Sequence, residues 1–187
     1  YGASGALVRR RRGRFGEYEY LMARRAPWMS SGGGQWSFPG GVHKDKDSSE
    51  IPMETAVTEF REEVGGDLEG LTPVYSYRDQ RAPDWAYDTH VYEVGRRDLS
   101  DIEARDGENT EVRWFTANEI MDLNKNGELL HSFGLVAPEI FMKLTPCPSA
   151  KESPNKTILL DFVGIMKLSS RAPILLDLNS ILKQSLT

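Results

Sequence analysis

The sequence predicts a mixed α/β fold (α+β) on three observations: short strand-like runs along the first two thirds, an amphipathic helix at 52–64, and apolar helical stretches after residue 116. Residues 4–9 and 17–24 read as two strands, and the glycines of 10–16 suit the hairpin connection between them. Residues 26–34 form a Gly- and Ser-rich loop, followed by a short strand at 35–38 that ends at Pro39. A polar loop at 42–49 leads into the helix. Further strands are expected at 72–79, 85–94 and 110–115, then a helix from about Thr116 and another over 129–144. Beyond Thr145 the texture changes, because Pro146, Pro148, Ser149, Ser153 and Pro154 make a linker-like stretch. The expected organisation is one domain over 1–145 and an extension of unassigned role over 146–187.

Composition sets the outer bounds. The chain of 187 residues is 39% hydrophobic and 27% charged, enough to bury a sizeable core. With 23 basic and 28 acidic residues the formal charge is −5, which argues against a protein that wraps duplex nucleic acid. A small anionic ligand needs only a local positive site or a bound metal. The single cysteine, Cys147, excludes an intrachain disulfide and fits a reducing compartment. It lies in the linker without a visible base partner, so a nucleophilic role is not expected. No apolar run approaches the roughly 20 residues needed to cross a bilayer, and the best stretch, 157–168, is interrupted by Asp161. No signal-peptide pattern is visible, and the expectation is a soluble, cytoplasmic protein without a membrane partner.

The helix at 52–64 is the most informative element. At about 100° per residue, Met53, Val57, Phe60 and Val64 fall on one stripe and should face the core. Glu59, Glu62 and Glu63 are spaced i, i+3, i+4 and gather on an adjoining flank. Pro52 suits the first helical position, and Gly65-Gly66 suits the end. Like charges this close repel by roughly 0.2–0.5 kcal/mol per pair even when solvated, and Arg61 points elsewhere. A divalent cation relieves that repulsion, since Mg²⁺ takes hard oxygen ligands and bridges carboxylates to phosphates. Upstream, Trp36-Ser37-Phe38-Pro39-Gly40-Gly41 supplies a glycine turn whose backbone can approach a metal or phosphate closely.

Gly41, Glu50 and the run Glu59-Phe60-Arg61-Glu62-Glu63-Val64-Gly65 together resemble the Nudix box. The resemblance extends upstream through Arg25-Ala26 and Gly33-Gly34-Gln35-Trp36, and downstream through 108–115 and Leu129-Leu130-His131, in the manner of MutT-like members. It covers roughly residues 4–144. It implies a Nudix-type α/β/α sandwich with a mixed β-sheet, and a pyrophosphohydrolase acting on a nucleoside diphosphate derivative, with an oxidised or ordinary nucleoside triphosphate as the first expectation. It further implies a Mg²⁺ (or Mn²⁺) cofactor held by Glu59, Glu62 and Glu63 with Gly41, the glutamates forming the catalytic set. The general base stays open among Glu63, Glu108 and Glu111.

Three departures from the family pattern stand out. Eight residues rather than five separate Gly41 from Glu50, an insertion that a loop absorbs cheaply. Ile51 stands where an N-cap serine is frequent. Thr58 replaces the box arginine, and threonine brings a hydroxyl but no charge. The alternative reading that follows is a catalytically impaired Nudix-like module that binds nucleotide or regulates. ADP-ribose or another dinucleotide is the nearest rival substrate, and an isoprenyl diphosphate isomerase is a third reading whose extra cysteine is not evident.

Around this set, Arg25 is a candidate phosphate contact. Trp28, Trp36, Trp85 and Tyr87 are candidates for stacking a base, with Trp36, Glu108 and Glu111 expected near substrate. Trp114 reads as core. His43, His90 and His131 lack metal-ligand spacing. Arg9, Arg10, Arg11, Arg12 and Arg14 read as a solvated hairpin tip. Homodimerisation is left open.

Overall fold

In the computed structural model, residues 2–13, 16–43, 52–95, 99 and 101–145 are described. Arg14, Glu50, Ile51, Cys147 and the expected extension lie outside them. The elements are β1 (Gly2–Arg11), β2 (Tyr18–Arg25), β3 (Trp36–Ser37), β4 (Gly40–Val42), α1 (Pro52–Val64), β5 (Tyr75–Ala82), β6 (Trp85–Glu93), β7 (Asn109–Thr116), α2 (Ala117–Lys125) and α3 (His131–Leu144). The mixed α+β class expected from the sequence is what forms.

The sheet runs β3-β2-β1-β6-β5, with β4 added on β1 and β7 on β2. Only the β1–β6 pairing is parallel among these strands. Its centre is a fork. β1 pairs with β2 at Arg9, Arg10 and Arg11, but at its other end Ala3, Ser4 and Gly5 pair with β4. β2 likewise leaves β1 and pairs through Ala23 and Arg24 with β3. The segment Trp36 to Val42 therefore wedges between the two diverging strands, and Ala6 N–H donates to the Pro39 carbonyl at 3.0 Å. Two strand pieces thus replace the one expected at 35–38, because Gly40 and Gly41 extend into pairing instead of turning away.

Side-chain alternation along the strands gives each face its own core. Leu7, Met22, Phe38, Val91 and Phe115 pack with Ile120, Phe133, Ile140 and Phe141 from α2 and α3. Ala6, Val8, Leu21, Ala23 and Tyr92 pack with Ala56, Phe60 and Val64 from α1. The stripe expected for α1 holds at Phe60 and Val64, both fully buried, and Val57 packs at its margin. Met53 does not follow it and is exposed, while Thr55 and Ala56 are buried instead. The first turn of α1 presents small residues to the sheet, which lets Ser4 Oγ reach the Pro52 carbonyl. Gly65, at φ +79°, ends α1 as expected, its N–H donating to the Arg61 carbonyl at 3.0 Å.

The basic run differs more. Arg9, Arg10 and Arg11 lie inside β1, not in the loop, while Arg12 follows the strand and is exposed as expected. Arg9 is 9% exposed, pairs with Glu93 at 2.8 Å and stacks on Tyr18 at 3.9 Å. Arg10 stacks on Trp114 at 3.9 Å and pairs with Glu19. Strand alternation sends successive arginines to opposite faces, where aromatic rings cover their stems. Leu129 and Leu130 are also not helical as expected: Trp36 N–H donates to the Glu128 carbonyl and Leu130 N–H to the Trp36 carbonyl, both at 2.8 Å. No helix among the described residues is long and apolar enough to cross a membrane.

Thr116 caps α2 in a reciprocal capping box: its side chain accepts from Glu119 N–H while Glu119 accepts from Thr116 N–H at 2.7 Å. Thr116→Ala is therefore expected to lower stability by about 1 kcal/mol, read as a lower urea midpoint with unchanged slope.

Candidate active site

The fork puts Gly40 and Gly41 directly against α1. The Gly40 N–H donates to Glu63 Oε1 at 2.8 Å. A Cβ built on Gly41 would lie 2.5–2.6 Å from the Glu59 carboxylate, so a side chain here would displace that carboxylate from its place against the strand. The second oxygen of Glu63 accepts from Asn109 Nδ2 at 2.6 Å, at the first residue of β7. Three elements distant in sequence thus converge on one carboxylate.

Glu63 is 7% exposed. Burial pushes its carboxyl up to about 7, outweighing the Gly40 and Asn109 hydrogen bonds, and the negative charges of Asp106 and Glu59 add to the rise. The three glutamates of the helix are therefore not equivalent. Glu63 is buried and clamped, Glu59 is partly buried against Gly41, and Glu62 is exposed.

The donors suit a hard cation. Among the described residues no group of three or more His, Cys, Asp or Glu side chains forms a metal cage. Glu63 and Glu59 each lie against the Gly40-Gly41 backbone, and carboxylate and backbone oxygens are the donors that Mg²⁺ takes alongside water and phosphate. A carboxyl held as high as Glu63 also stands to gain from a nearby positive charge.

On the opposite, α3 side of the sheet lies a cavity of about 100 Å³. Phe38, Trp85, Tyr87, Leu130, Phe133 and Val136 supply its apolar walls, and Asp79, Arg81 and Ser132 its polar groups. Arg81 pairs with Asp79 and donates to the Ser132 carbonyl.

The remaining expected site residues separate clearly. Arg25 is partly buried, its Nε donating to the Ser31 carbonyl at 3.0 Å, and its positive charge is felt at the Tyr87 phenol. Trp85 and Tyr87 line the cavity. Trp36 does not: at 4% exposure it packs edge-on against Phe115, ring centroids 4.8 Å apart, in the core. Trp28 is 72% exposed on its loop. Glu111 is committed to Arg113 and Arg24. Glu108 is exposed, and its carbonyl accepts from Ala26 N–H at 2.7 Å. Asn109 was not foreseen as a site residue. It follows Glu108 directly, but no local spacing ties it to a glutamate 46 positions earlier.

Comparison with known proteins agrees with this geometry. A family model described as "NUDIX domain" matches residues 2–133. The chain is 38% identical over 131 residues to "Putative 8-oxo-dGTP diphosphatase 3" of Mycobacterium tuberculosis, a match covering 66% of this chain and 55% of that protein. The chain therefore spans about half the length of the curated relatives it matches. Among solved structures it is similar to a Nudix hydrolase of M. smegmatis, RenU, at 25% identity and TM-score 0.60, over 81% of this chain and 91% of that one. It also shares the fold of a C. elegans Ap4A hydrolase, at 17% identity and TM-score 0.55, over 76% of this chain and 96% of that one.

A carboxyl raised in the folded state contributes stability that is fully present below its unfolded value and is lost as pH rises through its folded value. For Glu63 the window runs from 4.5 to about 7. In EDTA, wild type is expected to lose stability across this window relative to Glu63→Gln, by on the order of 3 kcal/mol. Saturating Mg²⁺ should recover much of the loss in wild type and little in the variant. Urea unfolding at several pH values, with and without the cation, measures it.

Proposed function

This chain belongs to the NUDIX domain family, and from that premise we propose that it is a divalent-cation-dependent pyrophosphohydrolase acting on a nucleoside diphosphate linked to a further group. A nucleoside triphosphate, ordinary or oxidised, is the first substrate class. The observation that carries this reading is the buried Glu63 clamped by Gly40 and Asn109 beside Glu59 and Gly41. The name of the mycobacterial relative is of the same kind, although the chain spans only about half of that protein.

Glu59 and Glu63 would hold Mg²⁺ or Mn²⁺, with Glu62 on the exposed side of the helix and the Gly41 backbone adjacent. When bound, the cation would neutralise charge on phosphate oxygens during in-line attack by water. Asn109 and the Gly40 amide keep the Glu63 carboxylate in one orientation, so ligand geometry is set before substrate arrives. Among the described residues the Arg25 guanidinium is engaged only through Nε, which leaves its terminal nitrogens for a phosphate. The cavity beside α3, walled by Trp85, Tyr87 and Phe38, offers aromatic rings on which a nucleobase would stack. The general base is one of Glu63, Glu108 and Glu111, and the pairing of Glu111 with Arg24 and Arg113 favours the other two.

The second reading, nucleotide binding without turnover, is favoured by Thr58, which stands partly buried on α1 without the charge of an arginine. Product release from a nucleotide panel, with Mg²⁺ and with EDTA, separates the two. The pyrophosphohydrolase reading expects Mg²⁺-dependent cleavage, lowered about 100-fold by Glu63→Gln and about 10- to 100-fold by Asn109→Ala. Nucleotide-induced thermal stabilisation with no product from any member of the panel would replace it with the binding module.

A further inference from the structure

We propose that the Tyr87 hydroxyl is a substrate-contacting group that donates a hydrogen bond to the diphosphate of the ligand where it passes from the α3-side cavity to the α1 carboxylates; this rests on the reading of the site as a diphosphate-handling one.

Tyr87 belongs to both halves of the site. Its ring lines the cavity and meets Phe38 edge-on, centroids 6.2 Å apart. Its hydroxyl lies in a notch between Gly5 and Gly40, since a Cβ on either glycine would stand 2.5 Å from the phenolic oxygen. Gly40 is the residue whose amide clamps Glu63. The phenol therefore sits one residue contact away from the buried carboxylate, although its ring is on the opposite face of the sheet. The absence of side chains at Gly5 and Gly40 is what leaves room for the phenolic oxygen there.

The chemistry of the hydroxyl fits an incoming acceptor. Burial, then the negative charges of Glu63 and Glu59, keep the phenol protonated, with Arg25 opposing them. A protonated phenol donates one hydrogen bond, and among the described residues no group is paired with it. The oxygen lies between the cavity that the ring lines and the Gly40 amide that clamps Glu63, so a ligand reaching from one to the other would meet it. The atoms it would present there are phosphate oxygens, and a hydrogen bond to a charged acceptor is among the stronger ones. Phe38 and the two glycines fix the ring, so the donor is in place before the ligand binds.

Tyr87→Phe removes the oxygen and keeps the ring against Phe38. The probe is pyrophosphate with saturating Mg²⁺, titrated calorimetrically into the full chain, so the test does not depend on which nucleotide is cleaved. The variant is expected to bind it about 10- to 100-fold more weakly, with unchanged thermal midpoint and unchanged affinity for Mg²⁺ alone. Equal pyrophosphate affinity in variant and wild type overturns the contact, as does failure of wild type to bind pyrophosphate at all. A fall in thermal midpoint or in Mg²⁺ affinity matching the loss of pyrophosphate binding also overturns it, since the residue would then act on fold or metal. Failure of the pyrophosphohydrolase reading is a separate result: wild type would bind Mg²⁺-pyrophosphate but release no product from nucleotides.

Discussion

The structure is organised around the contact between one buried carboxylate and one glycine amide. Glu63 accepts from Gly40 N–H, and that bond exists only because β1 and β2 diverge and admit the segment 36–42 between them. Burying a carboxylate is costly unless hydrogen bonds or a counter-charge compensate. Gly40 and Asn109 supply two bonds, yet the carboxyl remains raised to about 7. The protein spends part of its folding free energy on a group that is incomplete by itself. This is the arrangement expected where a cation supplies the remaining compensation.

The rest of the fold serves that contact. Phe60 and Val64, fully buried on the α1 side of the sheet, fix the helix phase that turns Glu63 inward and leaves Glu62 outside. The core on the other face, built from α2, α3 and the aromatic cluster of Phe38, Phe133 and Phe141, holds the wedge segment from behind. The bonds between Trp36 and the 128–130 backbone pin the start of the wedge to the approach to α3. The cavity and the acidic site thus share Phe38-Pro39-Gly40 as a common wall, one on each side.

Much of this was legible in the sequence because it depends on local signals. Helical phase and Gly65 defined α1 to its observed ends, and the two-stranded start and the helix near Thr116 followed from the strand pattern and the apolar stretches after residue 116. The glutamate set was legible from its spacing, but its hierarchy was not, since which carboxylate is buried depends on the fork in the sheet. Asn109 and the notch around Tyr87 were hidden for the same reason: both arise from contacts between residues far apart in the chain. The arginines of β1 misled in the opposite direction. A charge run beside glycines suggests a solvated tip, yet Arg9 and Arg10 stack on Tyr18 and Trp114, a tertiary effect that no local pattern encodes.

The central claim is that Glu63, clamped by Gly40 and Asn109, and Glu59 beside Gly41 form the cation site. Anomalous diffraction from crystals soaked in Mn²⁺ tests it most directly. The account predicts a peak in contact with carboxylate oxygens of both Glu59 and Glu63, next to the Gly41 backbone. A fully occupied peak that touches neither of these carboxylates would contradict it.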